Sequence, residues 1–200
     1  MAKANWVKVA PSQGSGNATV NVSSVSEHTG RNARTTTLTW KAANVADVVR
    51  TVSQAGKPQY VDIEDTAAAD KSGKVVTISG YTNAPKLTFT LGSGDLNITL
   101  PTTYKANSVN TNNGATISGD PGATAEFVFS IEINVPANAT TEPMTRQIVV
   151  SDGSGHSDTC TLTLAGGDAY VTVAAGTIEL DYLGTAVGVQ VQSNTSWEIV

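Results

Sequence analysis

Apolar and polar side chains alternate with a period of two along several stretches of this chain. The clearest stretches are residues 87–91, 96–100, 131–135 and 187–191. Alternation of this kind is typical of a β-strand that buries one face. Clusters of Gly, Asn, Asp and Pro separate the stretches and predict turns. They occur at residues 92–95, 112–114, 120–122 and 152–155. The pattern therefore predicts an all-β fold.

The chain also contains an internal repeat. Residues 54–63 and 164–173 share the order Ala-Gly, three further residues, Tyr-Val, any residue and an aliphatic one. Gly56 and Gly166 are 110 positions apart, and so are Tyr60 and Tyr170. The likeness extends upstream, where Arg34 is aligned with Arg146, and downstream, where residues 76–83 are aligned with 189–195. A unit of this length is usual for a β-sandwich domain.

The frame of the repeat divides the chain into a half, a whole and a half unit. Residues 58–167 correspond to a whole unit and are predicted to form a central immunoglobulin-like module. Residues 1–57 correspond to the second half of a unit, and residues 168–200 to the first half. We therefore predict that residues 1–57 and 168–200 together form a second, split immunoglobulin-like module.

A half-sandwich exposes an apolar face and unpaired strand edges, so the two halves are expected to close on each other. The residues predicted to form this module-closure interface are Trp6, Val189, Val191, Trp197 and Ile199. Burial of the four tail side chains, at about 1.5–3 kcal/mol each, would be comparable with the stability of a whole domain. Closure in cis is favoured by its higher effective concentration. Closure in trans, by strand donation to another copy, is the alternative.

One segment departs from the period of two. Apolar side chains between Ala42 and Val52 have the spacing of a helix face. The corresponding place in the next repeat is rich in glycine, which disfavours a helix. We interpret the segment as the turn and returning strand of a hairpin after Trp40, with a short helix as the alternative.

Composition narrows the classes of partner. Apolar residues make up 40% of the chain and charged residues only 14%, with a net charge of −5, so a core can form but nucleic acid would be repelled. No apolar run reaches transmembrane length, so no membrane partner is expected.

Residues 1–6 lack the apolar segment of a signal peptide. We expect a chain that stays in the cytoplasm where it is made, or a fragment of an exported protein.

The chemistry-bearing residues are sparse, so no catalytic, cofactor or metal site is predicted. Cys160 lies in an alternating run and is interpreted as a buried core residue. His28 and His156 lie in loop-like stretches of different units and are interpreted as solvated. An acidic cluster that includes Asp62 and Asp65 is interpreted as a solvated linker, with a calcium site as the alternative.

The aromatic residues have two interpretations. Trp6 and Trp197 are expected to fill the core of the split module. The alternative is that exposed aromatic rings stack on sugars.

Five short motifs occur in order along the N-terminal part of the chain. They are Trp6-Val-x-Val9, a Pro-Ser-x-Gly-Ser-Gly-Asn run at 11–17, Val20-x-Val22, Arg34-Thr-Thr-Thr-Leu38 and Gln54-Ala-Gly56. In this order they resemble a BACON domain, the Bacteroidetes-associated, immunoglobulin-like module. The Ser-Asn-x-x-Trp stretch that precedes the Trp-Val run in that family is matched at residues 193–197, at the opposite end of the chain. The resemblance covers residues 5–57 and 170–200, whereas the central unit lacks the Trp and the Gly-Ser-Gly-Asn turn.

The resemblance implies a binding or structural role and not an enzyme. The function expected from it is a structural virion protein of a Bacteroidetes phage, made in the host cytoplasm, that decorates or cements the capsid as an auxiliary protein. Its expected partners are the major capsid protein or other virion proteins, other copies of itself by strand exchange, and host or mucosal glycans. The alternative is a carbohydrate-binding or spacer module of a secreted or cell-surface polysaccharide-degrading system.

Overall fold

A computed structural model describes residues 3–174 and 176–200 of the chain. Residues 1, 2 and 175 of the predicted split module lie outside the described residues. The described chain is all-β, as predicted, with one short 3-10 helix at Pro121–Ala123. No described helix has the length and apolar character needed to cross a membrane.

The strands fall into three groups along the chain. The N-terminal group is β1 (Val7–Ala10), β2 (Asn21–Ser24), β3 (Arg34–Ala42) and β4 (Val45–Gln54). The central group is β5 (Val61–Ile63), β6 (Thr66–Ala69), β7 (Lys74–Thr82), β8 (Thr88–Gly94), β9 (Thr103–Ala106), β10 (Val109–Asn112), β11 (Phe127–Val135), β12 (Met144–Ser151) and β13 (Ser157–Leu164). The C-terminal group is β14 (Val171–Val173) and β15 (Val191–Ser193).

The central group forms a sandwich-like pair of sheets. One sheet has the strand order β10-β9-β11-β7-β5 and the other has the order β6-β13-β12-β8. All pairs are antiparallel except β6 with β13. Strand β11 shows why the sheets stack, because every second residue from Phe127 to Val135 is buried and the residues between face outwards.

One contiguous core fills the space between the two sheets. Its fully buried members include Ile63, Ile78, Leu87, Phe129, Ile131, Ile133, Ile148, Leu162 and Leu164. The ring of Phe89 packs against those of Tyr104 and Phe129, with centroids 5.0 and 5.8 Å away. Cys160 is buried in this core, as expected. Burial, aided by nearby carboxylates, raises the pKa of its thiol to about 11.

Two local predictions in the central group were wrong. Residues 96–100 are not a strand, although Leu96 and Ile98 are buried and their neighbours are exposed. Alternation reports burial on one face and does not require a hydrogen-bonded neighbour. The turn predicted at residues 92–95 lies mostly within β8, where the pairing with β12 shifts register between Arg146 and Ile148. The glycines there accommodate a bulge.

The N-terminal group consists of two separate ladders, β1 with β2 and β3 with β4. The hairpin interpretation of residues 42–52 is confirmed, because β4 is a continuous strand and Asn44 turns the chain with a φ of 61°. The C-terminal group is the single ladder of β14 with β15. Within the described residues, no ladder joins these two strands to the N-terminal ones.

Candidate interaction site

The N-terminal hairpin repeats a hairpin of the central sandwich in the same register. Its ladder opposes Arg34 to Gln54, and the β12–β13 ladder opposes Met144 to Leu164, 110 positions later on both strands. This register equates Arg34 with Met144. The alignment of Arg34 with Arg146 made from the sequence was therefore wrong by two residues.

The C-terminal ladder likewise repeats the start of the central sandwich. Val171 faces Ser193 in the β14–β15 ladder, and Val61 faces Thr82 in the β5–β7 ladder. The offset is 110 positions on the first strand and 111 on the second. The segment after residue 167 therefore has the local structure with which the central sandwich begins.

A buried asparagine forms the junction between the N-terminal group and the central sandwich. The Asn83 side chain is fully buried, and its Nδ2 donates to the carbonyl oxygens of Thr29, Lys57 and Pro58 at 3.3, 3.2 and 3.2 Å. Its Oδ1 accepts from the backbone N–H of Tyr60 at 3.1 Å. One side chain thus joins three separate backbone segments.

A second asparagine forms three of these four hydrogen bonds at the other junction. The Nδ2 of Asn194 donates to the carbonyl oxygens of Ala139 and Asp168 at 3.2 and 2.9 Å. Its Oδ1 accepts from the backbone N–H of Tyr170 at 2.9 Å. Each of these partners lies 110 positions after its counterpart at the first junction. The alignment made from the sequence set Val76 against Val189, whereas this network equates Asn83 with Asn194, so that alignment was wrong by two residues. The role of the asparagines could not be read from the sequence because their partners are backbone groups.

The glycine of each Ala-Gly motif packs against backbone at its junction. A Cβ placed on Gly56 would lie 2.0 Å from the carbonyl oxygen of Arg31, and one on Gly166 would lie 2.0 Å from that of Thr141. No side chain fits at such a distance. The repeated motif is therefore explained by the close approach of two backbone segments.

Charged side chains reinforce the first junction. Arg31 binds Asp120 through an Nη2–Oδ2 pair at 2.5 Å, and its backbone N–H donates to the carbonyl of Gly122 at 2.8 Å. The Tyr60 hydroxyl donates to Glu126 at 2.6 Å, and burial together with that carboxylate raises the pKa of Tyr60.

The two junctions lie at opposite ends of the central sandwich. Strands β7 and β11 form a ladder of nine residue pairs, from Phe127 with Thr82 to Val135 with Lys74. Asn83 follows Thr82, at the first end of the ladder. The other end is followed by Asn138 and Ala139, which is a partner of Asn194, and the N–H of Asn138 donates to the carbonyl of Lys71. At about 3.4 Å per residue the ladder spans roughly 27 Å. The N-terminal and C-terminal groups therefore extend from opposite ends.

The predicted closure residues are not brought together within one chain. Trp6 is half-buried, with its ring 4.7 Å from the guanidinium carbon of Arg34. Val191 is half-buried within β15. Val189, Trp197 and Ile199 expose 37%, 51% and 86% of their surface. At the offset of 111 positions Val189 corresponds to the core residue Ile78, and the apolar pair Trp197 and Ile199 follows Asn194 as the core pair Leu87 and Phe89 follows Asn83.

An open cleft of about 670 Å³ lies in the N-terminal group. Its apolar lining comes from both ladders and includes Val9, Val20, Leu38 and Trp40. Trp40 is 41% exposed, whereas Val150, its counterpart in the central sandwich, is fully buried. The N-terminal group therefore has an inner face without the side chains that would cover it.

A shallower concavity of about 430 Å³ lies on the outer face of the five-stranded sheet. It is lined by the exposed ring of Tyr81, by Val128, and by acidic residues that include Asp62 and Asp65. Within the described residues, no group of three or more His, Cys, Asp or Glu side chains is placed to hold a metal ion.

The two histidines lie in loops, as predicted, and make short-range contacts there. His156 Nδ1 lies 2.6 Å from Oδ2 of the buried Asp152, and His28 Nε2 lies 2.6 Å from the carbonyl oxygen of Asn32. Asp152 also accepts from the backbone N–H of Ser154 at 2.7 Å. This carboxylate therefore organises the loop between β12 and β13.

No family model and no curated protein matches the chain. Among solved structures, the chain is similar to the endo-fucoidan hydrolase MfFcnA9 from glycoside hydrolase family 107, with 14% sequence identity and a TM-score of 0.26. The similarity covers 81% of this chain and 26% of that protein, so the chain spans about a quarter of its length. A similarity of this size indicates nothing about activity.

Proposed function

We propose that this chain is a structural protein of a Bacteroidetes phage virion, built of immunoglobulin-like modules of the BACON type. One whole module lies between two complementary half-modules. In this proposal the chain decorates or cements the capsid by docking on the major capsid protein or on other virion proteins.

The observation that carries the proposal is the repeated junction. Asn83 and Asn194 tie successive modules through three equivalent hydrogen bonds to backbone groups. Gly56 and Gly166 hold the same backbone segments in contact. Junctions of this kind fix one module against the next, unlike a flexible linker. A rigid linear array suits a protein that builds or coats a surface.

Virions of the phage that encodes the chain provide the test. Antibodies raised against the purified chain should decorate the heads of gradient-purified particles in immunogold electron microscopy. Mass spectrometry of the same particles should detect the chain at many copies per head. Label confined to tails would contradict the capsid assignment. Absence of the chain from purified particles would contradict a virion role.

The concavity beside Tyr81 favours a second candidate function, carbohydrate binding. Binding sites for sugars combine an exposed aromatic ring with polar side chains, and Tyr81 lies next to Asp62 across the β5–β7 ladder. Mucin glycans and bacterial polysaccharides, titrated separately by calorimetry, are the probes. Binding that is lost in Tyr81→Ala and kept in Tyr182→Ala, a matched change at a 96% exposed tyrosine, would support this function. No heat with any probe would contradict it.

A further inference from the structure

We propose that copies of this chain join head to tail, with residues 176–200 of one copy completing the open N-terminal half-module of the next. The proposal rests on the modular arrangement in the proposed function and is independent of its setting in a virion. It assigns to the cleft beside Trp40 one occupant, a second copy of this chain.

The fold of a single chain opposes closure in cis. The two half-modules extend from opposite ends of a nine-pair ladder. To return to the N-terminal cleft, the tail would have to break the hydrogen bonds of Asn194 and the contact of Gly166 with Thr141. In trans, both junctions stay intact, because the tail of one copy meets the N-terminal group of another.

The two surfaces are chemically complementary. The cleft is lined by Val20, by the exposed Trp40 and by the already buried Leu38, whereas the tail carries exposed apolar side chains at Val189, Trp197 and Ile199. In the central sandwich the corresponding side chains on both sides are buried in one core. The tail therefore supplies the missing half of the same kind of core.

The register of the central sandwich predicts the register of the joint. Strand β11 opposes Ile131 to Ile78 in its ladder with β7. The counterparts of these residues are Val22, by alignment of the Val20-x-Val22 motif, and Val189, by continuation of the offset in β15. Val22 of one copy should therefore lie opposite Val189 of the next, with both side chains facing the cleft.

Such a joint is heterologous, so it propagates into an open chain or closes into a ring. Each joint would recreate a whole module with the junctions already seen at Asn83 and Asn194. Every module in the assembly would then be bounded by the same two contacts.

Light scattering of the full chain over a wide range of concentrations gives the first test. The mass should climb above the 20.6 kDa of one copy as concentration rises. Trp197→Asp should raise the concentration needed for association by at least about 100-fold, because it would place a charge in the new core. Tyr182→Asp, which adds the same charge to the same tail at a position whose counterpart in the central sandwich is the exposed turn at residues 71–72, should associate like the unaltered chain. A constant mass of one copy at every concentration would overturn the proposal.

A disulfide test separates the two ways of closing. Val22→Cys combined with Val189→Cys should give a ladder of covalent multimers on a non-reducing gel, because opposed strand residues lie within disulfide reach. Val22→Cys combined with Tyr182→Cys is the control and should stay unlinked. The native Cys160 is fully buried in every variant.

A monomer with an internal disulfide would show closure in cis and overturn the proposal, and absence of any link would overturn the register. These outcomes do not depend on immunogold labelling of virions. A chain that assembles head to tail but is absent from particles would refute the virion role alone.

Discussion

Asn83 holds together the junction between the N-terminal group and the central sandwich. It satisfies three backbone carbonyls and one backbone N–H in a place that water does not reach. A buried polar group left without a partner costs about 1–3 kcal/mol. Asn83 therefore contributes to the free energy of unfolding mainly because, without it, these buried backbone groups would have no hydrogen-bond partner.

We expect Asn83→Ala to lower the free energy of unfolding by about 3 kcal/mol, because it leaves several buried backbone groups unpaired. Asn194→Ala removes the equivalent network in an exposed setting, where water can replace the lost bonds, and should cost about 1 kcal/mol. Urea titration followed by tryptophan fluorescence measures both. Equal losses of unfolding free energy in the two variants would show that burial of the asparagine does not determine the size of the loss.

Asp152 is the most deeply buried carboxylate of the central sandwich. Burial alone would raise its pKa. Hydrogen bonds from the backbone N–H of Ser154, from His156 and from the Gln59 amide outweigh burial and hold the pKa of Asp152 below its ordinary value. The carboxylate is therefore more acidic in the folded protein than in the unfolded chain.

A lowered pKa in the folded state stabilises the protein above the unfolded pKa, near 3.9, and this contribution is lost as the pH falls further. We expect Asp152→Asn to lower the free energy of unfolding by about 2 kcal/mol near neutral pH. The difference from the unaltered chain should shrink steadily below about pH 4. Urea titrations of both proteins across this range measure it. A difference that stays constant with pH would exclude ionisation of Asp152 as its source.

The strands show how much of the secondary structure the alternation of apolar and polar residues predicts. Alternation predicted β11, because that strand buries every second residue. The hairpin of β3 with β4 was predicted from the glycine-rich counterpart in the next repeat, because the apolar residues between Ala42 and Val52 have a helical spacing. Alternation failed at residues 96–100, where Leu96 and Ile98 fill the core without a ladder. Pairing depends on which neighbour is present in space, and a single strand's composition does not encode that neighbour.

Alternation also failed to predict strand pairing in the C-terminal tail, which belongs to the candidate site. Alternation over residues 187–191 predicted a strand, yet β15 begins only at Val191. The apolar residues are present in the sequence, but among the described residues Val189 lies in no ladder. The closure residues were predicted from the repeat, and their joining stays a prediction. The placement of the N- and C-terminal groups at opposite ends could not be predicted from the sequence, because it depends on the positions of the junctions.

The close approach of two backbone segments at the second junction predicts that a side chain at Gly166 would destabilise the protein. Gly166→Ala should lower the free energy of unfolding by about 2 kcal/mol or more, since its Cβ would lie 2.0 Å from the Thr141 carbonyl oxygen. Gly188→Ala, at a glycine with open space around it, should change stability by less than about 0.5 kcal/mol. Thermal unfolding followed by circular dichroism measures the two. Similar melting temperatures for both variants would contradict the contact.

The described chain combines one filled core, in the central sandwich, with N- and C-terminal groups that expose many apolar side chains, so its stability should be uneven. Local opening is easiest where few apolar contacts cover the backbone hydrogen bonds. Strands β7 and β11 lie inside a five-stranded sheet over a filled core. The β14–β15 ladder has three residue pairs and exposed side chains on β14.

Hydrogen exchange of dilute protein should therefore be slowest in β7 and β11 and fastest in β14 and β15. Raising the concentration should slow exchange in β2 and in residues 187–193, which would become paired between copies, and should leave β12 unchanged. Mass spectrometry of peptic fragments resolves these segments. Uniform slowing along the chain would indicate non-specific association instead.

The single parallel pair in the central sandwich has a mechanical consequence. Strands β6 and β13 lie near the two ends of the module's chain and run side by side, from Thr66 with Thr161 to Ala69 with Leu164. Tension along a head-to-tail fibre pulls the start of β6 and the end of β13 in opposite directions. The hydrogen bonds between them are then loaded in shear, all together, and not opened one after another. Forced unfolding is governed by the unfolding barrier, so this arrangement would let each module hold its shape under load.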